Sequence, residues 1–184
     1  MNLSRNFTLE EMEKSQTATR KGIKNKAGSG EIKNLGDLCY EVLEPVRAKF
    51  DKPVTITSGY RSPELSEAIG SKATSQHCSG EAVDFEIAGV SNLQVALWIE
   101  NNCNFDQLIL EFWKEGEPNS GWIHCSYKED SNRKQVLTYS GGEYYLMLNG
   151  QVVKCKTRRS YANKKTKETT NGFTKSYYEE TKKK

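Results

Sequence analysis

The 184-residue chain contains only two histidines, His77 and His124. His77 lies in the polar stretch 75–80, and Asp84 follows it at the start of a β-type run over 82–87. A loop leading into a strand closes that separation. His124 alternates with Trp122 and Ser126, so the three share one face if the segment is extended. Two imidazoles and one carboxylate are a sound ligand set for zinc, and three protein ligands leave a fourth position for water, as at catalytic sites. Water at such a site has its pKa drawn toward 7 while the ion polarises a carbonyl, and the chemistry implied is hydrolysis of an amide. On spacing alone, surface histidines or hydrogen-bonded core histidines fit the pattern too.

Hydrophobic periodicity gives the elements that must position these groups. Thr8, with Glu11 three residues later, predicts a capped helix start. Ile32, Leu35, Leu38, Cys39, Val42, Leu43, Val46 and Phe50 fall at helical spacing over 31–50, with Pro45 expected to kink or break the helix. Residues 54–60 predict a strand that turns at Gly59 into Arg61, 63–70 a short helix, 82–87 a second strand and 92–101 a second long helix. Strands at 105–112 and 122–127 flank a Gly/Pro/Asn loop and can pair as a hairpin. A further hairpin is expected from 136–140 and 143–148 around Gly141-Gly142, with a terminal strand beginning near Val152.

The composition, 35% hydrophobic and 28% charged, fits one globular domain. Net charge is only +3, and lysines and arginines cluster from Lys154 onward. That basic tail attracts anionic polymers in general, though a solvated disordered tail is the plainer reading. No apolar run is long enough for a membrane span, and residues 1–33 lack the apolar core of a signal peptide, so synthesis as a cytoplasmic chain is expected. Five cysteines without a pairwise motif predict free thiols.

Three motifs stand in order along the chain: Thr57-Ser58-Gly59-Tyr60-Arg61-Ser62, then Ser75-Gln76-His77-Cys78-Ser79-Gly80-Glu81-Ala82-Val83-Asp84-Phe85, then Trp122-Ile123-His124-Cys125-Ser126-Tyr127. Together they resemble the D-alanyl-D-alanine carboxypeptidase type of zinc peptidase, which is grouped with lysostaphin-type enzymes and the hedgehog fold. Phe7-Thr8-Leu9, Ser15-Gln16-Thr17-Ala18 and Leu43-Glu44-Pro45-Val46-Arg47 are similar to the N-terminal helices of its phage and bacterial branch, so the likeness covers roughly residues 5–140. The resemblance implies an α+β fold, a small mostly antiparallel sheet with helices on one side and a zinc cleft on the other. It implies one zinc per chain on His77, Asp84 and His124. Arg61 would hold a substrate carboxylate or carbonyl and the developing oxyanion, a task suited to a permanent, bidentate cation; a surface ion pair is the alternative. The substrate implied is a peptidoglycan stem peptide, cut at a bond of the D-Ala-D-Ala or L-Ala-D-Glu kind. On this reading 1–150 form the peptidase domain and 151–184 a basic tail, and the protein is a monomer that does not need nucleic acid. By analogy it would be a phage-type lysin, held in the host cytoplasm and acting at the cell wall.

One departure concerns the catalytic base. In the dipeptidase branch a Glu stands three residues before the last ligand, where this chain has Gly121. Glu111, ending a strand expected to pair with the His124 strand, is the first choice, with Glu115 and Glu117 as rivals. Ser75 is a candidate substrate contact or a plain turn former, and Trp122 a candidate cleft wall. Cys125 should face the core. Gly121 also supports a different class of function, a metal-stabilised peptidoglycan-binding or virion structural module without hydrolytic power. A nucleic-acid binder working through the tail is a third.

Overall fold

The computed structural model describes residues 1–154 other than 115, 118, 141, 142, 149 and 150, with side chains described as far as Tyr139. Helix α1 (Leu9–Glu13) opens on the expected capping box: the Thr8 hydroxyl accepts from the Glu11 amide, and the Glu11 carboxylate accepts from the Thr8 amide. Ser15 caps α2 (Gln16–Lys21). Helices α3 (Ser29–Leu38) and α4 (Glu44–Phe50) form one continuous path through a π-helical turn, Cys39–Leu43. Pro45 kinks helices by lacking an N–H, yet here it does not end the run. It sits in the first turn of α4, just after a widened turn in which the Glu44 amide reaches back to the Cys39 carbonyl.

The other elements are β1 (Val54–Ser58), α5 (Pro63–Ala68), β2 (Ala82–Ile87), α6 (Asn92–Asn102), β3 (Gln107–Glu111), β4 (Trp122–Ser126), β5 (Gln135–Ser140), β6 (Glu143–Leu148) and β7 (Gln151–Lys154). They form a sheet in the order β1-β2-β4-β3-β5-β6-β7. Every neighbouring pair is antiparallel except β3 and β5, which run parallel. The architecture is α+β with a mostly antiparallel sheet, as expected, and the β3–β4 and β5–β6 hairpins both form. The parallel pair arises because the connection after β4 carries the chain back to the start of β3. The Lys134 and Gln135 amides donate to the Phe105 and Asp106 carbonyls, and Arg133 clasps the buried Asp106 carboxylate. Of the expected tail, 151–184, the first four residues form β7 and the rest lie outside the described residues.

Alternation along the strands divides the sheet into two faces. Val83, Phe85 and Ile87 of β2, Leu108 and Leu110 of β3, Ile123 and Cys125 of β4 and Val136 of β5 join the helices in one buried cluster with Leu38, Leu43, Val46, Val95 and Ile99. Their alternates, Asp84 and Glu86, Trp122 and His124, Ile109 and Glu111, project from the opposite face. Cys125 therefore points into the core, where burial pushes its thiol well above the ordinary value. Among the described residues the cysteines are unpaired.

Candidate metal centre

Three separate segments converge on the face away from the helices. Asp84 and His124 are direct partners across β2 and β4. His77 is delivered by a 3-10 turn, Gln76–Ser79, that precedes β2. Their potential ligand atoms come together closely: His77 Nε2 lies 3.3 Å from His124 Nδ1 and 3.3 Å from Asp84 Oδ1, and His124 Nδ1 lies 2.8 Å from Asp84 Oδ1. Tetrahedral bonds of about 2.0–2.1 Å to zinc place donor atoms about 3.3–3.4 Å apart. Two of the three separations already match that edge, and the third needs to open by about half an ångström. All three residues are buried, and together they could hold a metal ion.

The surroundings prepare the donors. His77 Nδ1 lies 2.7 Å from the Gly59 carbonyl oxygen, which can only accept, so Nδ1 carries the proton and Nε2 presents its lone pair to the cluster. Gly59 makes this possible by close approach: a Cβ there would meet the Met12 carbonyl oxygen of α1 at 2.5 Å. Burial holds the His77 imidazole below its ordinary pKa against the pull of Asp84, which favours the neutral form that a metal ion would need. Burial pushes the Asp84 carboxyl the other way, upward. Interactions with the His77 and His124 rings, including the Nδ1–H that His124 donates to it, favour the charged form, outweigh this and hold it well below the usual carboxylate range. His124 donates Nδ1–H to Asp84 here, and the same nitrogen offers a lone pair in its other tautomer.

Arg61 is at the centre rather than on the outer surface. Its Nη2 donates to Asp84 Oδ2 and its Nε to the Ser58 hydroxyl at 2.8 Å, while its backbone amide donates to the His77 carbonyl. Ser58 reaches the site face through an irregularity in the β1–β2 ladder that sets it, not Thr57, opposite Asp84. A guanidinium has five N–H donors, and these two contacts leave the others available to an anion.

Glu111 lies directly across from Trp122 on β3, half-buried on the site face. Burial raises its carboxyl pKa and the charge of Asp84 raises it further, tempered by His124 and Arg61, so the group feels the whole cluster. The Trp122 indole N–H offsets a little more of the rise from nearby, but it lies outside hydrogen-bonding geometry and has no partner among the described residues. Glu117 is exposed in the connecting loop and faces Lys114 at 3.5 Å, apart from the cluster. Glu115 lies outside the described residues. Ser75 precedes the 3-10 turn and its carbonyl accepts from the Cys78 amide, but its hydroxyl does not cap the turn.

Gly121 has a structural reason to be glycine. Its φ is +64°, and a Cβ would overlap the Glu111 carbonyl oxygen and come within 2.7 Å of the Phe112 carbonyl carbon. No side chain fits there, carboxylate or otherwise. Phe112 is itself left-handed at φ +56°, exposed, and stacked on Trp122 with ring centroids 5.0 Å apart. Sequence reasoning missed Ser58, the Gly59 carbonyl and Phe112. The first two act through backbone placement, and no residue type announces that.

A family model described as peptidase M15 matches residues 5–126, a span containing all three histidine and aspartate positions of the cluster and Glu111. No curated protein matches the chain.

Proposed function

The chain belongs to the peptidase M15 family, and from that premise we propose that it is a zinc metallopeptidase hydrolysing the stem peptides of bacterial peptidoglycan, at a D-Ala-D-Ala or L-Ala-D-Glu type of bond. The observation that carries the reading is the donor triangle of His77, Asp84 and His124, whose edges approach those of a zinc tetrahedron. Zinc held there supplies a Lewis acid that acidifies water and polarises a carbonyl. Glu111 takes a proton onto its carboxylate and returns it to the departing amine; its raised pKa brings it closer to neutrality, where a carboxyl can both accept and give. Arg61 binds the substrate's carboxylate or carbonyl oxygen beside Asp84, and Trp122 walls the cleft between them. A phage-lysin setting is consistent with this chemistry and rests on the family likeness. Among the described residues no helix is long and apolar enough to cross a membrane.

The binding-module alternative drew its support from Gly121, and steric overlap accounts for that glycine without any loss of function. Incubating the full chain with purified muropeptides, with and without a chelator, and weighing the products by mass spectrometry tests the proposal. New amine termini that vanish with chelation and return with zinc are expected. Muropeptide binding without any cleavage would sink it.

A further inference from the structure

The side chains on the site face form ranks across the strands. Asp84 and His124 lie in one rank, with Ile109 beyond His124. The next rank runs Thr55, Glu86, Trp122, Glu111, Tyr139. Thr55 pairs with Glu86, and Glu111 with both Trp122 and Tyr139, while Glu86 and Trp122 each stand one step past the paired Phe85 and Ile123. Trp122 therefore separates two carboxylates. With strands about 4.8 Å apart, their backbones stand roughly 10 Å from one another.

The two carboxylates have unlike surroundings. Glu111 feels the charges of Asp84, His124 and Arg61, whereas Glu86 opens onto a cavity of about 170 Å³ lined by Thr55, Val90 and Asn119 beside it. Most of the wall is hydrocarbon, and Glu86 is its one charged side chain among the described residues. Lys52 stands at the rim beside Gly89, where its ammonium donates to the Ala88 carbonyl. Asn92 holds the far wall by donating to the Ser120 and Gly121 carbonyls. At about 30 Å³ per water-sized group, the space takes five or so non-hydrogen atoms. A half-open, mostly apolar recess that carries a single carboxylate complements a methylene chain that ends in a cation.

We propose that this cavity is a subsite for an aliphatic primary ammonium, the side chain of a lysine-type residue in the substrate peptide, with its methylenes against Thr55 and Val90 and its ammonium on Glu86. The inference rests on the peptidase reading for its substrate. Glu86 lies two residues along β2 from Asp84, about 7 Å, a span covered by one long side chain or two residues of extended peptide. One substrate can therefore engage both places.

The test compares the pentapeptide Ala-γ-D-Glu-Lys-D-Ala-D-Ala with its Nε-acetyl form, by calorimetric titration into the chelator-treated full-length chain, where turnover does not intrude. The free amine should bind about fivefold more tightly, the size of a partly solvated charge-assisted contact. Glu86→Gln should erase that preference and Glu86→Asp retain part of it. Equal affinity for the two peptides in the unaltered chain, or a preference that survives Glu86→Gln, overturns the subsite. Zinc is then restored and products are weighed separately. A preference without products leaves the subsite standing and removes the peptidase reading, while products without a preference do the reverse.

Discussion

Substituting Gly121 with alanine separates a steric glycine from a vacated catalytic position. Alanine in the left-handed region costs about 1–2 kcal/mol. The added methyl also overlaps the Glu111 carbonyl oxygen and crowds the Phe112 and Trp113 backbone, and forced overpacking of this kind costs about 1–3 kcal/mol more. The sum is about 2–5 kcal/mol, or a fall in Tm of roughly 4–20 °C for a domain of this size. Gly70 supplies the control: its φ is +79°, but nothing lies within 4 Å of a Cβ built there. Gly70→Ala should show only the conformational part, roughly 2–8 °C. Thermal unfolding of both variants by circular dichroism is the assay. Melting temperatures within about 2 °C of each other would refute the overlap argument. Gly121→Glu extends the test, since a vacated base position would gain activity from the carboxylate, whereas the structure predicts lower stability and no gain.

Glu111→Gln should lower kcat by about 10²–10⁴-fold while zinc content, read by atomic absorption, stays stoichiometric; loss of the metal along with the rate would place Glu111 outside the proton-transfer role. Zinc at 100 times its Kd should stabilise the folded chain by about 2.7 kcal/mol and raise Tm by roughly 5–10 °C, a shift that His77→Ala abolishes. An equal shift in that variant would place the ion elsewhere. Asp106 is buried, which raises its carboxyl, but the hydrogen bonds from Arg133 win and hold it below the usual range. A carboxyl with a depressed folded pKa contributes stability above its unfolded value, about 3.9, and loses that contribution as pH falls through the folded value. Acid titration followed by fluorescence should therefore show a shallower loss below about pH 4 in Asp106→Asn than in the unaltered chain.

The parts of the molecule legible in the sequence are those governed by local rules. The capping box at Thr8 and Glu11, the two-residue alternation that turns Asp84 and His124 to one face, and the Gly-flanked hairpins all depend on residues close together in the chain. The parallel pairing of β3 with β5 depends on Arg133 meeting Asp106 across an intervening hairpin, and alternation within a strand does not name its partner. Pro45 signalled a disturbance, but whether the helix would break or widen depended on Cys39 and Glu44 across the turn. At the site, residue types singled out the two histidines and Asp84 as one possible ligand set, whereas Arg61 entered through the family resemblance and Glu111 through its place at the end of a strand expected to pair with that of His124. Arg61 was pictured as facing substrate, and its engagement with Asp84 and Ser58 needed the folded ladder to be seen. Gly121 looked like a missing carboxylate because its obstruction comes from Glu111 and Phe112, ten and nine positions earlier in the chain.

The carbonyl that fixes the His77 ring belongs to the main chain, at a point where α1 leans on the turn after β1. No change of side chain at position 59 can delete that acceptor; a change there can only displace it by pushing against Met12. The imidazole's aim is thus inherited with the fold rather than entrusted to one replaceable partner. The N-terminal helix, which supplies none of the three donors, becomes a buttress of the candidate metal centre, so trimming the first dozen residues would loosen a histidine more than sixty positions away.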